Sequence, residues 1–538
     1  MYKKLKSTSP GKKAFLLIAF AILLLAAPGI FAETAGASEI ETVANATKGV
    51  TEAVNIMWIM IAGFLVFFMQ AGFALVETGF TRTKNVAHTM MMNLMVFCIG
   101  AIGYWLVGFA IQFGSVNAAY PAVTTAGAVA GEWAHSPTTL GDWAGLLAEP
   151  LLRFGQWGFL GGNGFMLIGL GGSTGILAFF LFQMVFMDTA ATIPTGSMAE
   201  RLRFSGFCLM GLWVSMFIYP LVGGWVWGGG WLQNLGRIAG LGNGAVDFAG
   251  SGVVHMIGGS IALAGAIVIG PRIGRFNPDG SANALPGHNI PMGILGTIIL
   301  FFGWFGFNPG SSLAFTGNGG LLASNAAVNT LIAGAMGGCV AMLWMWLKGP
   351  SKKPDPGMSV NGVLAGLVAI TSSCAFVSSI SAMVIGAVAG VLVCLVTMLL
   401  EKMRIDDPVG AVPVHFANGL WGLLAVGIFS DGNPASAGWN GMENPVGGLI
   451  TGNGSQIIAQ LLEIGAILVF VFGLSYLFFR LLNAFGLLRS KPRDEIMGLD
   501  IPEMGVQGYS NVDMKMSGRI SLHIPTADRD PVKKSINN

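Results

Sequence analysis

The chain has 538 residues, of which 53% are hydrophobic and only 10% are charged, and its formal net charge is +2. Because an ordinary globular domain carries about a quarter charged residues, this composition excludes a typical water-soluble protein and predicts one solvated by a lipid bilayer. The small net charge gives no indication of nucleic-acid binding. Five cysteines without a CxxC pair indicate neither a disulfide framework nor a structural zinc site.

The first 32 residues have the order of a secretory signal peptide. Five lysines between positions 3 and 13 precede an apolar run at 14–27 and a small-residue end at Ala32. The alternative is an uncleaved first membrane helix, which is disfavoured because a span needs about 20 apolar residues. We therefore predict a signal peptide at 1–32 and an extracytoplasmic segment at 33–55.

Eleven stretches between residues 56 and 484 are apolar and long enough to cross a bilayer. In chain order they are 56–80, 88–112, 165–195, 205–226, 249–271, 291–308, 321–347, 359–380, 381–401, 411–429 and 455–484. The division within 359–401 rests on Ser378, Ser379 and Ser381 alone. We predict one eleven-helix domain at 56–484, followed by a polar tail at 485–538.

Lysine and arginine are sorted by loop. The loops after the odd-numbered stretches are basic, whereas those after the even-numbered stretches hold only Arg153 and Arg237. Cytoplasmic loops carry the excess of basic residues. The pattern predicts a multi-pass protein of the cell (inner) membrane with its N-terminus outside after signal cleavage and its C-terminal tail in the cytoplasm.

Two segments, 247–259 and 407–419, share a pattern in which Asp, Gly, Val-His and Gly recur at equal spacing. With the predicted orientation they open helices that cross the membrane in opposite directions, an inverted arrangement that is typical of transport proteins. His255 and His415 each lie about two turns into their helices, ~12 Å from the start. Since the helices start at opposite faces of a ~30 Å hydrocarbon core, we predict that the two rings meet near its centre.

A lone histidine in an apolar helix is more often a packing residue, whereas ionisable groups within a membrane frequently mark a transport pathway. The repeat-related placement of His255 and His415 favours a pathway. A metal site is disfavoured because zinc takes three or four protein ligands, and no third His, Cys or carboxylate is spaced to join the pair. We predict no metal and no cofactor.

Several motifs resemble the ammonium transporter, methylammonium permease and Rhesus (Amt/Mep/Rh) family, and the ammonium transporter branch fits best. They cover roughly 50–508 and comprise Gln70–Glu77, Phe182-Gln183 with Phe186, Ala199–Arg201, Trp227–Gly230, Asp247–His255, Gly303–Asn308 with Ser311, and Asp406–His415. The resemblance implies an all-α integral membrane fold with eleven transmembrane helices, built as two inverted five-helix repeats plus one extra helix. It also implies a trimer with one pore per protomer.

By the same resemblance, Trp227, Phe186 and Ser311 correspond to an outer recruitment site, and Phe186 with Phe307 to a stacked gate beneath it. An indole face attracts a cation, and a hydroxyl oxygen accepts an N–H bond that potassium cannot donate. The alternatives are a membrane-interface anchor for Trp227 and core packing for the others. His255 and His415 correspond to the pore.

Phe182, Gln183 and Asp247 are supporting residues in this comparison, and Asp247 is expected to cap N–H groups at a helix start. Asp188 lies inside the third stretch, where a carboxylate needs a partner or a cavity, but the sequence identifies no partner for it. A bare cation at mid-bilayer costs several kcal/mol. We therefore expect ammonium to lose its proton near the gate, while the question of whether net charge crosses stays open.

The resemblance implies ammonium and methylammonium as substrates and a PII-type signalling protein as a partner at the cytoplasmic face. No enzyme activity is expected, because the chain lacks nucleophile and metal motifs. Three rival functions remain: an ammonium sensor, a Rhesus-type gas channel and a membrane enzyme that uses the two histidines. The sensor lacks an attached kinase or cyclase domain, and the intact aromatic motif disfavours the gas channel.

Overall fold

The computed structural model describes residues 35–114, 152–154, 157–162, 164–170, 172, 174–442 and 444–509. The expected signal peptide at 1–32, most of the outer segment at 114–164 and the end of the tail from residue 510 lie outside the described residues.

A bundle of apolar helices forms the described part of the chain. These helices are α1 (Ala35–Phe80), α2 (Thr83–Phe113), α3 (Thr174–Met198), α4 (Phe204–Val226), α5 (Ser251–Ile269), α6 (Ile290–Ser312), α7 (Asn318–Lys348), α8 (Pro356–Ile370), α9 (Ser379–Lys402), α10 (Val412–Phe429) and α11 (Ser455–Ala484). Ten of them are long and apolar enough to cross a membrane, whereas α8 is shorter, with 15 residues. Among the described residues, β1 (Leu152–Phe154) and β2 (Trp157–Leu160) form the one sheet, an antiparallel hairpin outside the bundle.

Three helix boundaries differ from those expected by more than five residues. The first helix begins at Ala35 instead of residue 56, so the expected extracytoplasmic segment is helical over most of its length. An apolar pattern marks only the part of a helix that faces hydrocarbon, which explains the difference. The third helix begins at Thr174 instead of residue 165. Met166 and Leu167 have positive φ angles of 57° and 56°, which are incompatible with a regular α-helix at these positions.

The eighth helix ends at Ile370 instead of residue 380. Its last turns give way to a polar stretch whose carbonyl groups bind the segment before α5. The carbonyl oxygens of Thr371 and Ser372 accept the N–H groups of Ala249 and Phe248 at 3.2 Å and 3.1 Å. These bonds replace the helical ladder and place the end of α8 against the start of α5.

Glycines allow α1 and α6 to approach closely. A β-carbon placed on Gly72 would lie 2.9 Å from the Gly296 carbonyl oxygen, and one placed on Gly296 would lie 2.6 Å from the Gly72 carbonyl oxygen. Neither position has room for a side chain. Close backbone approach of this kind stabilises helix pairs where no hydrophobic effect drives their association.

One end of the bundle carries a buried network of ion pairs, and we call it the basic end. Arg272 binds Asp406 through Nε at 2.8 Å and Glu200 through Nη1 at 3.1 Å, and Glu200 also pairs with Arg82. Arg201 donates to the Asp406 carbonyl oxygen at 2.8 Å. Burial alone would raise the pKa of Asp406, but the Arg272 hydrogen bond and the charges of both buried arginines hold it at about 2.

Residues 485–509 lie across the basic end. The Ser490 N–H donates to the Arg201 carbonyl oxygen at 2.9 Å, and Arg489 forms a 2.9 Å ion pair with Glu495. Glu495 in turn accepts the Ile273 N–H at 2.6 Å. The tail is therefore attached to the loops that contain the ion-pair network.

Candidate functional site

The segments that precede α5 and α10 have the same local structure. In each one the aspartate carboxylate accepts the N–H groups of the residues three and five positions later. These bonds run to Asp247 from Gly250 and Gly252 at 2.8 Å and 3.0 Å, and to Asp407 from Gly410 and Val412 at 3.1 Å and 2.7 Å. Gly250 and Gly410 have φ angles of 107° and 82°, a region that favours glycine.

Both helices then begin with a π-helical turn, Ser251–Met256 and Val412–Ala417, and each turn contains the histidine of the repeat. Glycines bring the two turns together. A β-carbon on Gly259 would lie 2.6 Å from the Phe416 Cα atom, and one on Gly419 would lie 2.8 Å from the Met256 nitrogen. Each glycine thus faces the residue that follows the opposite histidine, and this reciprocal packing sets the distance between the rings.

His255 and His415 are buried, and their Nδ1 atoms lie 3.2 Å apart. A hydrogen bond between two Nδ1 atoms requires one ring to donate and the other to accept. The donor ring then keeps a bare Nε2 acceptor, whereas the acceptor ring carries an N–H at Nε2. The pair therefore offers one acceptor and one donor to a small polar molecule, and His255 Nε2 has no partner among the described residues.

A stack of aromatic rings covers the histidine pair on one side. The ring centroids of Phe186 and Phe307 lie 4.0 Å apart with an interplanar angle of 16°. Phe307 also stacks on His255 at 5.5 Å, and Trp304 stacks on the same imidazole at 5.1 Å. Phe307 therefore lies between Phe186 and His255 and separates the histidine pair from the region on the far side of Phe186.

Beyond this stack lies a cavity that brings together the residues expected to form the recruitment site. Its lining consists of Phe113, Phe179, Phe182, Gln183, Phe186, Trp227, Phe248, Ser311, Leu313, Trp439 and Asn440. We call this side, where Trp227 and Trp439 lie, the aromatic end. Because Arg201 precedes α4 and Trp227 follows it, the aromatic and basic ends are opposite.

Trp227 and Ser311 are both fixed by backbone contacts at the cavity. Trp227 Nε1 donates to the Asp247 carbonyl oxygen at 2.7 Å, and its ring meets the Phe186 ring edge-to-face at 6.2 Å. The Ser311 hydroxyl donates to the Phe307 carbonyl oxygen at 2.9 Å. Since its proton is used in this bond, the hydroxyl oxygen offers only lone pairs to a ligand in the cavity.

The two remaining supporting residues also line the cavity. The Phe182 ring lies 4.5 Å from the Phe186 ring, and Gln183 Oε1 has no hydrogen-bond partner among the described residues. Sequence reasoning assigned no role to Trp439, whose Nε1 donates to the Ser311 carbonyl oxygen at 2.9 Å. It lies in a glycine- and asparagine-rich loop after α10, where no local pattern distinguishes it.

A second cavity lies on the basic side of the histidine pair. Its lining includes Phe73, Glu77, Asn361, Val409 and His415. Glu77 is fully hydrogen-bonded there, since its carboxylate accepts from Asn93 at 2.8 Å and from Thr195 at 2.7 Å. The two cavities therefore lie on opposite sides of the histidine pair.

Asp188 lines neither of these cavities. Its carboxyl group is buried in α3, and its Oδ1 atom has no hydrogen-bond partner within the described part of the chain. The described residues thus give no partner to Asp188 Oδ1, although a carboxylate within a membrane needs one. We assign Asp188 no role in the site.

The chain is similar to known proteins over most of its length. The model of the Ammonium Transporter Family matches residues 57–509. Ammonium transporter Amt2 of Archaeoglobus fulgidus is 42% identical over 461 residues, which are 85% of this chain and 88% of the relative. Ammonium transporter 1 member 3 of Solanum lycopersicum is 34% identical over 475 residues, 86% of this chain and 94% of the relative.

Solved structures agree with the sequence matches. A structure described as a Sensor Amt Protein has a TM-score of 0.69 and 35% identity, and the match covers 85% of this chain and 99% of that one. Mep2 of Saccharomyces cerevisiae has a TM-score of 0.66 and 25% identity, with coverage of 82% and 88%. The chain belongs to the Ammonium Transporter Family.

Proposed function

We propose that this protein transports ammonium across a cell membrane along the path through its two cavities and the histidine pair. The observation that carries the proposal is the linear order of the site. The Trp227 and Ser311 cavity, the Phe186 and Phe307 stack, and the His255 and His415 pair follow one another through the bundle. The names of the relatives support a transporter and not an enzyme.

Discrimination against potassium requires chemistry, since ammonium and potassium are similar in size. In the cavity at the aromatic end, the Trp227 face attracts a cation, and the Ser311 oxygen accepts one of its N–H groups. Methylammonium keeps three such N–H groups and is the expected alternative substrate. Potassium has none, so it gains only the electrostatic part of this binding.

The stacked phenylalanines act as the gate. A hydrophobic constriction resists hydrated ions, and a bare cation at mid-bilayer costs several kcal/mol. Ammonium therefore gives up its proton at the gate. The paired imidazoles of His255 and His415 accept and relay that proton separately, and ammonia passes along the edges of the two rings. Their one acceptor and one donor replace the hydrogen bonds that ammonia makes with water, and potassium has no proton to lose.

The same proposal includes the membrane arrangement. The basic end faces the cytoplasm, and the N-terminus lies outside after removal of the signal peptide. The eleven helices, with α8 among them, form two inverted five-helix repeats plus one extra helix, which the matched Asp247 and Asp407 segments support. Three chains assemble into a trimer, and a PII-type protein docks on the basic end.

The test is a current measurement on liposomes immobilised on a solid-supported membrane. An ammonium pulse is compared with a potassium pulse for the wild type and for His255→Ala. The matched control is His288→Ala, because His288 lies at the basic end, where it contacts Thr81 and Tyr509. We expect an ammonium-selective response that His255→Ala loses and His288→Ala keeps. The absence of both a current and an ammonium-dependent pH change in wild-type liposomes would overturn the transport function.

A second candidate function is ammonium sensing, which the likeness to a Sensor Amt Protein supports. In a sensor, ammonium in the pathway alters the tail that lies across the basic end. Protease cleavage in 485–509, compared with and without ammonium, tests this function. A cleavage rate that changes with ammonium in a protein without flux supports the sensor.

A further inference from the structure

A glutamate of α11, Glu463, is buried beside Asp247. A β-carbon placed on Gly252 would lie 2.5 Å from Glu463 Oε1 and 3.1 Å from Asp247 Oδ2. The two carboxyl groups therefore face the same point at the start of α5. Within the part of the chain that the structure describes, neither group takes part in a salt bridge.

The two groups have very different hydrogen bonding. Asp247 accepts four bonds, from the hydroxyl of Ser372 and from the N–H groups of Gly250, Gly252 and Val253. Glu463 accepts one long bond of 3.4 Å at Oε2 from Gln460, and its Oε1 has no partner among the described residues. Hydrogen bonds to a carboxylate stabilise its charged form, so the negative charge belongs on Asp247.

Two adjacent buried carboxyl groups without a cation do not both ionise, because each charge repels the other in a medium of low dielectric constant. Glu463 is therefore the group that retains a proton. Glu463 Oε1, which has no partner among the described residues, and Asp247 Oδ2 both face the β-carbon position of Gly252. We therefore take Asp247 Oδ2 as the acceptor of this proton.

The same face of α11 also positions Asp247. Gln456, Gln460 and Glu463 lie at positions i, i+4 and i+7, on one side of the helix. Gln456 donates to the Gly244 carbonyl oxygen at 2.8 Å, and Gln460 exchanges bonds of 2.8 Å and 2.9 Å with the backbone of Val246. The loop that leads to Asp247 is thus held along its length by the helix that carries Glu463.

Asp247 connects this pair to the cavity at the aromatic end, because its carbonyl oxygen accepts the Trp227 N–H. Asp247 is the ionisable group that acts on Glu463. The charge of Asp247 also acts on two further buried titratable groups, Tyr219 of α4 and Cys374 in the turn after α8. From α10, the apolar Leu423 packs at the same point.

We propose that Glu463 is a neutral acid that donates a hydrogen bond to Asp247, so that the pair presents one negative charge to the cation cavity. This role rests on the proposed ammonium transport. A second charge at this position would hold the cation too tightly for release to the gate, since attraction is strong where solvent is excluded. Glu463 is therefore a positioning residue that sets the charge behind the cavity.

Infrared spectroscopy in an ester-free detergent tests the protonation directly. A protonated carboxyl group has a carbonyl stretching band that a carboxylate lacks. We expect Glu463→Gln to remove such a band from the wild-type spectrum. Asp188→Asn, at another buried carboxyl group, serves as the matched control and leaves the Glu463 band in place. An unchanged band region in Glu463→Gln overturns the proposal, as does a band that only Asp247→Asn removes.

Transport measurements give the functional readout. Glu463→Leu keeps a buried side chain but cannot donate to Asp247, and we expect it to reduce the ammonium current about fivefold, the effect of about 1 kcal/mol. Glu463→Gln retains a donor without a titratable proton and is expected to keep more than half of the wild-type current. Equal losses in both variants, with normal melting and elution, contradict the role. Absence of both a wild-type current and an ammonium-dependent pH change overturns the proposed transport but leaves the infrared assignment standing.

Discussion

His255 and His415 hold their Nδ1 atoms 3.2 Å apart although 160 positions separate them in the chain. Each ring belongs to a π-helical turn that follows an aspartate-capped loop, and the glycine of each helix packs against the other turn. Because the two rings share one hydrogen bond, the tautomer of one ring determines the tautomer of the other.

This coupling predicts the outcome of a double-mutant cycle. His255→Ala and His415→Ala should each remove most of the ammonium-selective current, because either change deprives the remaining ring of its hydrogen-bond partner. The double variant should lose little more than the single ones, since residues that act as a unit are not additive. Currents on a solid-supported membrane measure all three. Losses that multiply would show that the rings act separately.

Phe307→Ala should weaken the discrimination against potassium. Phe307 stacks on both Phe186 and His255, so its truncation opens the hydrophobic barrier between the cavity and the histidines. We expect potassium current to rise relative to ammonium current. Phe305→Ala, in a partly exposed ring that stacks on Phe301, is the control on the same helix. A variant with an unchanged current ratio would exclude Phe307 as part of the gate.

Trp227→Phe should weaken cation binding without closing the pathway. The change replaces indole with a weaker cation-binding ring and removes the bond to the Asp247 carbonyl oxygen. A loss of about 1 kcal/mol raises the ammonium concentration for half-maximal current about fivefold. Trp213→Phe, at a tryptophan that stacks on Phe478 far along α4, should leave that concentration unchanged. The prediction fails if both variants behave alike.

Asp406→Asn should reduce stability in a pH-dependent manner. The pKa of Asp406 is about 2 in the folded protein against an ordinary value of 3.8. Because the folded-state pKa is lowered, the stabilisation is complete above about pH 4 and is lost as the pH falls through 2. We expect about 2 kcal/mol at neutral pH. Thermal melting of both proteins in detergent from pH 7 to pH 2 should show converging midpoints, whereas a constant difference would contradict the assignment.

Glu495→Gln should loosen the tail from the basic end. Glu495 pairs with Arg489 and accepts the Ile273 N–H, and both contacts weaken when the charge is removed. We expect faster trypsin cleavage after Arg489, whose guanidinium Glu495 binds. Asp494→Asn removes the adjacent carboxylate, which is only half-buried, and provides the control. Equal cleavage rates in the two variants would show that Glu495 does not hold the tail.

Much of the fold can be predicted from local sequence patterns. Apolar stretches of sufficient length predict membrane helices because each helix satisfies its own backbone hydrogen bonds in hydrocarbon. Ten of the predicted stretches correspond to helices of spanning length, and the family resemblance is confirmed. The end of α8 escaped prediction because Thr371 and Ser372 bind the backbone before α5, a contact between segments far apart in sequence.

The candidate site divides in the same way. The repeated Asp and His spacing singled out His255 and His415, because both copies of the repeat can be read in the sequence. The motif resemblance named five of the residues that line the cavity at the aromatic end, namely Phe182, Gln183, Phe186, Trp227 and Ser311. The π-helical turns, the partnership of Glu463 with Asp247 and the contribution of Trp439 were not visible, since no local pattern distinguishes these residues from packing residues. The sequence by itself therefore determined that the chain spans a membrane, where most of its helices lie, and which two histidines the repeat relates. Only the tertiary structure decided which side chains share a cavity, because that depends on how closely glycines let distant helices approach.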